Sequence, residues 1–412
     1  LEGSGMKGIP ISTANLRKCA IVTMLAFLSQ ALYAGAAADQ EKLASANNGF
    51  AFQLLKQLAK DQPGTNIFIS PYSVSAVLQM VGNGAGGQTK VELQQVLGTT
   101  GLPQDALNAA NQDFAKAMNS GNTNVLLTTA NAIWYRKEIP VKPEFIACNQ
   151  QFFGATVEAL DFKDPHSIDI MNTWASDKTH GRITHIADGM MQPASSLFLA
   201  NAIYFKGKWE VPFEKQSTKD RVFHLLGGRQ KHLPMMEQAR HFTYRRGTGY
   251  QAVRLEYQGW DLAMYVFLPD AGSSPQKLLG ILNGDKWHRV TKPGFAQLQG
   301  TVVLPRFKLE YGVELKQPLQ ALGLKSAFGV ADFSGISSER LFISAVRQKT
   351  FVEVTEEGTE AAAVTEMAVP ISASPEMNPP KPFEMIVDRP FLFLIEDQRT
   401  GTILFMGAMF EP

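Results

Sequence analysis

From Gln40 to Leu58 apolar residues recur at helical spacing (Leu43, Ala46, Phe50, Leu54, Leu58) and predict an amphipathic helix. NIFISP (66–71) reads as a short apolar strand stopped by Pro71, and Ser70-Pro71 opens a second helix through Val74, Val77, Leu78 and Val81. GNGAGG (82–87) breaks that helix, Thr89 caps the next one, and Gly98 closes it; residues 103–118 are Ala-rich and helical. VLLTTANAIWY (125–135) has the β-branched and aromatic content of a buried strand. A helix over 143–153 and a strand over 155–162 follow. Next comes a helix over 166–180, built around Ile170, Met171 and Trp174, then a long apolar strand over 196–213 interrupted by Gly207. Further strands are predicted at 220–226, 240–245, 250–256, 260–268 and 300–310, with helices at 275–283 and 312–322. The C-terminal run is β again, with Gln398–Gly401 as the turn between two very apolar strands. Such nearly continuous runs imply sheet buried on both faces. Helices dominate the first half and strands the second, with no break between them, so the pattern predicts one α+β domain from about residue 40 to 412.

One stretch does not fit this pattern. Residues 353–382 begin as a strand, thin into Gly and Ala, and end Pro-rich, with no Lys or Arg from Gly358 to Pro380. A loop that long inside a compact domain is functional or disordered. Ala361–Ala363 are strong helix formers. If the segment is extended, however, Thr359, Ala361, Ala363, Thr365 and Met367 form one small, uncharged face, and Glu360, Ala362, Val364 and Glu366 the other. That half is a spare strand sized for a crowded sheet.

Composition changes the picture little. The 412 residues are 45% hydrophobic and 19% charged, with net charge +1, so no global field argues for nucleic acid or a membrane surface. LEGSG (1–5) ahead of Met6 is expected to be a cloning scar. Residues 6–38 have the layout of a secretory signal peptide: Lys7, Arg17 and Lys18, then AIVTMLAFLSQALY, then small residues with cleavage expected near Asp39. Without residues 1–38 the balance becomes 36 bases to 37 acids. Cys148 is then the only cysteine, unable to form an internal disulfide and expected to be a buried, inert thiol. With neither a disulfide nor an Asn-x-Ser/Thr sequon, an exported chain fits a bacterial envelope, secreted or periplasmic.

Candidate chemistry is sparse. Gly82, Gly84 and Gly87 satisfy G-x-G-x-x-G, but a Pro-initiated helix stands where the dinucleotide motif needs a strand, so a flexible inter-helix turn is expected. His180 and His185 are five apart, too far for a helical metal pair, and neither HExxH nor G-x-S-x-G occurs. Arg245-Arg246 and the Arg229/Lys231/His232 cluster read as solvated faces. Neither catalysis nor a cofactor is indicated.

Six ordered segments carry a resemblance. NIFISPYSVSAVLQMVGNGAGGQT (66–89), TANAIWYRKE (129–138), MNTWASDKTHGRI (171–183), NAIYFKGKWEVPF (201–213), FVEVTEEGTEAAAVTE (351–366) and DRPFLFLIEDQRTGTILFMG (388–407) are similar to segments of the serpins, the serine-protease-inhibitor family. The resemblance implies a single serpin domain over 39–412, with three β-sheets, eight or nine helices and an exposed reactive-centre loop at about 357–380. It also implies a mechanism in which a protease attacks the loop, an acyl-enzyme forms, and the cut loop enters the large sheet as a new strand, dragging the protease with it. Glu356, Glu357, Gly358, Thr359, Glu360, Ala361, Ala362, Ala363, Val364 and Thr365 would form the hinge, and their small inward face is the family's inhibitory pattern. The family's spacing places the cleaved bond at Ser372-Ala373 when counted from Glu356, and at Ile371-Ser372 when counted back from Lys381–Phe383.

With no Arg or Lys in either register, elastase-like or subtilisin-like proteases are the expected partners rather than trypsin-like ones. Cross-inhibition of a cysteine protease is a further expected partnership. A monomer is expected, with polymerisation by loop exchange. The polar cluster that gates the sheet maps to Ser70, Ser73, Asn201 and Gln348, the last standing where the family usually has His; Gln keeps a donor and an acceptor but loses any pH response. Trp209 matches the Trp near the point of loop entry, and Arg389 stands where His is common. The alternative is a non-inhibitory serpin, a binding or chaperone-like module, which Val364, Met367 and Pro370 in the loop would suit.

Overall fold

A computed structural model of the chain describes residues 39–119, 125–189, 191–192, 194–259, 261–288, 292–359 and 381–412. Helix α1 (39–61) buries Leu43, Phe50, Leu54 and Leu58 as its spacing predicts. Strand β1 (Ile67–Ile69) leads into α2 (Pro71–Gly82), where Ser70 accepts a hydrogen bond from the Ser73 backbone N–H and Pro71 opens the first turn. Such a cap satisfies one of the free donors at a helix start. All eleven residues of α2 from Pro71 to Val81 are buried.

The glycine run after α2 is tighter than the flexible turn expected. A Cβ on Gly84 would lie 2.3 Å from the Ile336 side chain, and one on Gly86 would lie 2.5 Å from the Asp332 carboxylate. Gly86 N–H donates to the Asp332 carbonyl and Gly335 N–H to that of Gly84, so the glycines permit a close junction with the 332–336 loop. The next helix, α3 (Gly87–Leu97), starts at Gly86 rather than Thr89, whose hydroxyl instead accepts from Asp332 N–H.

Two hydrogen-bonded sheets carry the core. In the smaller, β2 (Val125–Arg136) lies antiparallel to β4 (Leu197–Lys208), with β3 (Thr156–Leu160) at its edge. On the other side β11 (Ile343–Thr355) runs parallel to β4 and antiparallel to β10 (Phe307–Glu314). The larger sheet has β1 at one edge, then β15 (Thr402–Met409), β14 (Phe391–Asp397), β8 (Leu262–Pro269), β7 (Tyr250–Glu256), β6 (Gln230–Gly247), β9 (Ala296–Pro305) and β13 (Phe383–Ile386). Strand β5 (Lys219–His224) also pairs with β6.

The three sheets expected are thus two networks, because β6 runs unbroken for 18 residues and changes partner along its length: β5 at its start, β9 in its middle and β7 at its end. Two expectations need correction at Pro305. The strand predicted over 300–310 is the end of β9 and the start of β10, which belong to different sheets, and Arg306 turns the chain between them. Because β10 continues to Glu314, the helix predicted over 312–322 shrinks to α9 (Lys316–Ala321).

The remaining helices are α4 (Gln104–Asn119), α5 (Pro143–Phe153), α6 (His166–Lys178), α7 (Pro275–Ile281) and the single turn α8 (Gly284–Lys286), nine in all among the described residues. Helix α6 buries Met171 and Ala175 on β2 and β4, whereas Ile170 is exposed, against expectation. Among the described residues no helix is long and apolar enough to cross a membrane, and no group of side chains is arranged to hold a metal. Residues 1–38, with the expected scar and signal peptide, lie outside the described residues.

Candidate functional site: the seam between β4 and β11

Strand β11 ends at Thr355, and Glu356-Glu357 reverse the chain. Gly358 and Thr359 (β12) then return antiparallel to β11, pairing Val354 with Thr359 and Thr355 with Gly358. On its other edge β12 pairs antiparallel with β4, Gly358 with Lys208 and Thr359 with Gly207. A new strand has therefore begun between β4 and β11. Farther down, from Phe351 and Tyr204 onward, those two strands pair directly.

Each hinge residue in β12 has a steric reason. Gly358 has φ +146°, and a Cβ there would sit 2.1 Å from the Gly207 carbonyl oxygen, so only glycine fits. Thr359 is fully buried, and its hydroxyl shares a hydrogen bond of 2.8 Å with the Tyr257 hydroxyl. Tyr257 stacks on Trp209 at 4.6 Å, and Trp209 donates from Nε1 to the Thr355 carbonyl and from its backbone N–H to that of Glu357. Trp209 is thus a platform holding the end of β11 and the turn.

Glu356 is buried and held by the Arg306 guanidinium, whose Nε and Nη2 donate to its carboxylate at 2.8 and 2.5 Å, and by the Thr218 hydroxyl. Glu357 pairs at the surface with Lys215, 2.5 Å away. Burial pushes the Glu356 carboxyl up, but the bonds from Arg306 and Thr218 outweigh it and hold the group below the usual glutamate value of 4.5. A carboxyl with a depressed folded pKa contributes stability that is complete above the unfolded value and lost as pH falls through the folded one. Acidification below about pH 4.5 is therefore expected to loosen the hinge. In thermal melts from pH 6 to 3, the wild-type midpoint should fall more steeply than that of Glu356→Gln; parallel curves would contradict this.

The four residues that the resemblance assigns to a gate lie together. Gln348, 1% exposed, faces the core from β11; its Oε1 accepts from the Ser70 backbone N–H at 3.0 Å. Its Nε2 donates to the Ser70 carbonyl at 2.9 Å and to Asn201 Oδ1 at 2.7 Å. Asn201 in turn donates to Asn131 Oδ1 on β2, and the Ser70 hydroxyl to the Leu404 carbonyl on β15. One amide thereby ties the start of α2 to both strands of the seam. The Ser73 hydroxyl is fully buried and has no hydrogen-bond partner among the described residues. Asn131 and Thr350, whose hydroxyl donates to the Phe68 carbonyl, complete the cluster and were not singled out in the sequence.

Of the other residues read from the sequence, Glu360–Thr365 and the reactive-bond residues Ile371, Ser372 and Ala373 lie outside the described residues. Cys148 is half-buried rather than buried; burial pushes its thiol pKa up, with Asp105 adding to the effect, which disfavours the reactive thiolate. Arg389 donates to the Pro269 carbonyl and pairs with Asp388.

The two-residue strand β12 is thus wedged into a sheet seam above a buried polar cluster, and comparison with known proteins gives the family. The family model described as Serpin (serine protease inhibitor) matches residues 45–412. Iripin-2 of Ixodes ricinus is 38% identical over 395 residues, covering 94% of this chain and 98% of its own. Leukocyte elastase inhibitor of Sus scrofa is 36% identical, covering 90% of this chain and 100% of its own. Among solved structures, Serpin48 of Tenebrio molitor superposes with a TM-score of 0.80 at 29% identity, covering 90% of this chain and 98% of its own. The chain belongs to the serpin family, and that membership implies a target protease as partner. The relatives include eukaryotic and archaeal proteins, which lend no support to the bacterial origin expected from the sequence.

Proposed function

We propose that the protein is a suicide-substrate inhibitor that traps a serine protease covalently, with elastase-like or subtilisin-like targets preferred over trypsin-like ones. The observation that carries this reading is β12, a strand already started in the seam with Thr359 fully buried. Continuing its register after cleavage would set Ala361 between Phe205 and Val352, Ala363 between Ile203 and Thr350, and Thr365 between Asn201 and Gln348. Two alanines then occupy the tight apolar part of the seam, and the threonine hydroxyl arrives at the gate, where polar partners wait. Bulky or charged side chains at those places would stall entry.

The target class follows from Ile371, Ser372 and Ala373, small or aliphatic residues with nothing for an acidic specificity pocket. Incubation with elastase, subtilisin and trypsin should give an SDS-stable complex with one of the first two and none with trypsin; the reverse outcome would sink the assignment. Mass spectrometry of the released C-terminal peptide then reads its first residue as Ala373 or Ser372. Cleavage of the loop without a complex would favour the binding or chaperone-like reading. A cysteine protease belongs in the same panel, and loop-exchange polymers are read on native gels. The proposed setting, secreted or periplasmic, rests on the pattern of residues 6–38, and N-terminal sequencing of the exported chain should start near Asp39.

A further inference from the structure

A cavity of about 150 Å³ lies away from the seam, where α1 and α4 meet the start of α2 and the turn between β14 and β15. No residue of β4, β11 or β12 lines it. Leu43 and Ala44 of α1 and Ala110 and Phe114 of α4 give it apolar walls. The Phe114 ring meets the Tyr72 ring at 4.5 Å, tilted by 46°. Asp113 and Arg399 stand at the rim, their side chains 58% and 38% exposed.

The deep end is polar. Asn47 and Tyr72, 2% and 7% exposed, both line the cavity. Asn47 Oδ1 accepts from the Ser75 hydroxyl at 2.7 Å, which leaves the amide nitrogen as a donor. Neither that nitrogen nor the Tyr72 hydroxyl has a hydrogen-bond partner among the described residues. Burial pushes the Tyr72 pKa up, so the hydroxyl keeps its proton and can donate. Buried polar groups are nearly always paired. Two unpaired donors in one apolar cavity are what a small-molecule site offers. Water is a poor substitute, because the apolar walls give it few further partners.

We infer that this cavity binds a small, uncharged aromatic carbonyl compound, with its oxygen on Asn47 and Tyr72 and its ring between α1 and α4. A carbonyl oxygen has two lone pairs and can accept from both donors at once. A cavity of this volume with apolar walls takes one benzene ring. Phe114 and Tyr72 present ring faces and edges against which an aromatic ligand packs well. A charged ligand is disfavoured at both ends. The deep end would strip a carboxylate of water. At the rim, Arg399 Nε already donates to Asp397 at 3.1 Å and lies 3.8 Å from Asp261, while Asp113 adds another negative charge. The site goes beyond protease inhibition and does not depend on strand insertion.

The test titrates the intact full chain with acetophenone, toluene and benzoate at up to millimolar concentration, binding being read by ligand-observed NMR. Acetophenone should bind about tenfold more tightly than toluene, which keeps the ring but has no acceptor, and benzoate should bind least. Tyr72→Phe removes a hydroxyl that no described residue holds, so its thermal midpoint should stay near wild type. It should weaken acetophenone about fivefold and leave toluene unchanged. Ala117→Leu, which fills the cavity from the end of α4, should abolish binding of both. No binding of acetophenone to the wild type overturns the site. So does equal affinity for acetophenone and toluene, which would leave the two donors without a role. Acetophenone affinity unchanged in both Tyr72→Phe and Ala117→Leu places the ligand elsewhere and overturns it as well.

Discussion

Cutting the loop between Ile371 and Ala373 is expected to raise the thermal unfolding midpoint by about 10 °C or more, about 8 kcal/mol for a chain of this size. In the intact chain β4 and β11 share one parallel ladder of eight pairs. Insertion replaces that one interface with two antiparallel ones, which are slightly more stable per residue. The uncut loop cannot reach this arrangement. It is anchored at one end by Glu356 on Arg306 and at the other by β13, where Phe383 stacks on Tyr244 at 3.8 Å. From Gly358 to Ser372 an extended strand spans roughly 50 Å. Full insertion would therefore carry the far end down the sheet and away from β13. Cleavage removes the anchor, and the stability follows. The control is Ala363→Asp, whose carboxylate would be forced between Ile203 and Thr350, at a cost of several kcal/mol for an unpaired buried charge. Its midpoint should not rise on cutting. An unchanged midpoint in the wild type would retire the inhibitory reading.

What the sequence revealed and hid follows from the range of the interactions. Helix α2 was legible because Ser70, Pro71 and the run to Val81 are consecutive and locally consistent. The β14–β15 hairpin was legible for the same reason, two apolar runs about a short turn ending in Gly401. The gate was legible only through family resemblance; no period links Ser70 to Gln348, 278 positions apart. Arg306 was missed as the partner of Glu356 because it looked like part of a continuous strand, whereas it marks the passage between sheets. The unbroken β6 was missed because Pro234 looks like a strand stop. It is tolerated there because its carbonyl still accepts from Arg306 N–H as the strand changes partner. Ile170 misled for the converse reason: periodicity gives the helix, but not where the edge of its buried face falls.

Replacement of Gln348 by Leu is expected to cost the intact fold about 3 kcal/mol, since it strands the Ser70 N–H and the Asn201 amide oxygen in a buried site, while the Ser70 carbonyl keeps its bond from Val74 N–H. The cleaved form should suffer less, because Thr365, if inserted in the register of β12, would give Asn201 and position 348 a new polar neighbour. Gln348→Leu should therefore melt several degrees lower when uncut, convert sooner to self-inserted or polymeric forms on warming, and gain more from cleavage than wild type does. Gln348→His separates hydrogen bonding from polarity alone. Neutral imidazole offers one donor and one acceptor, enough to hold Ser70 or Asn201 while accepting from the other side. Protonation turns the acceptor into a second donor facing the Ser70 N–H, so the folded state disfavours the charged form and depresses that pKa. Stability from a group so shifted is complete above its unfolded value, about 6.5, and lost as pH falls below it. The His variant should match wild type at pH 8 and open faster at pH 5.5, while the Gln348 protein shows no such change from the gate. Equal melting and equal polymerisation of the Leu variant and wild type would remove the gate from the mechanism, and leave β12 and the hinge to control entry on their own.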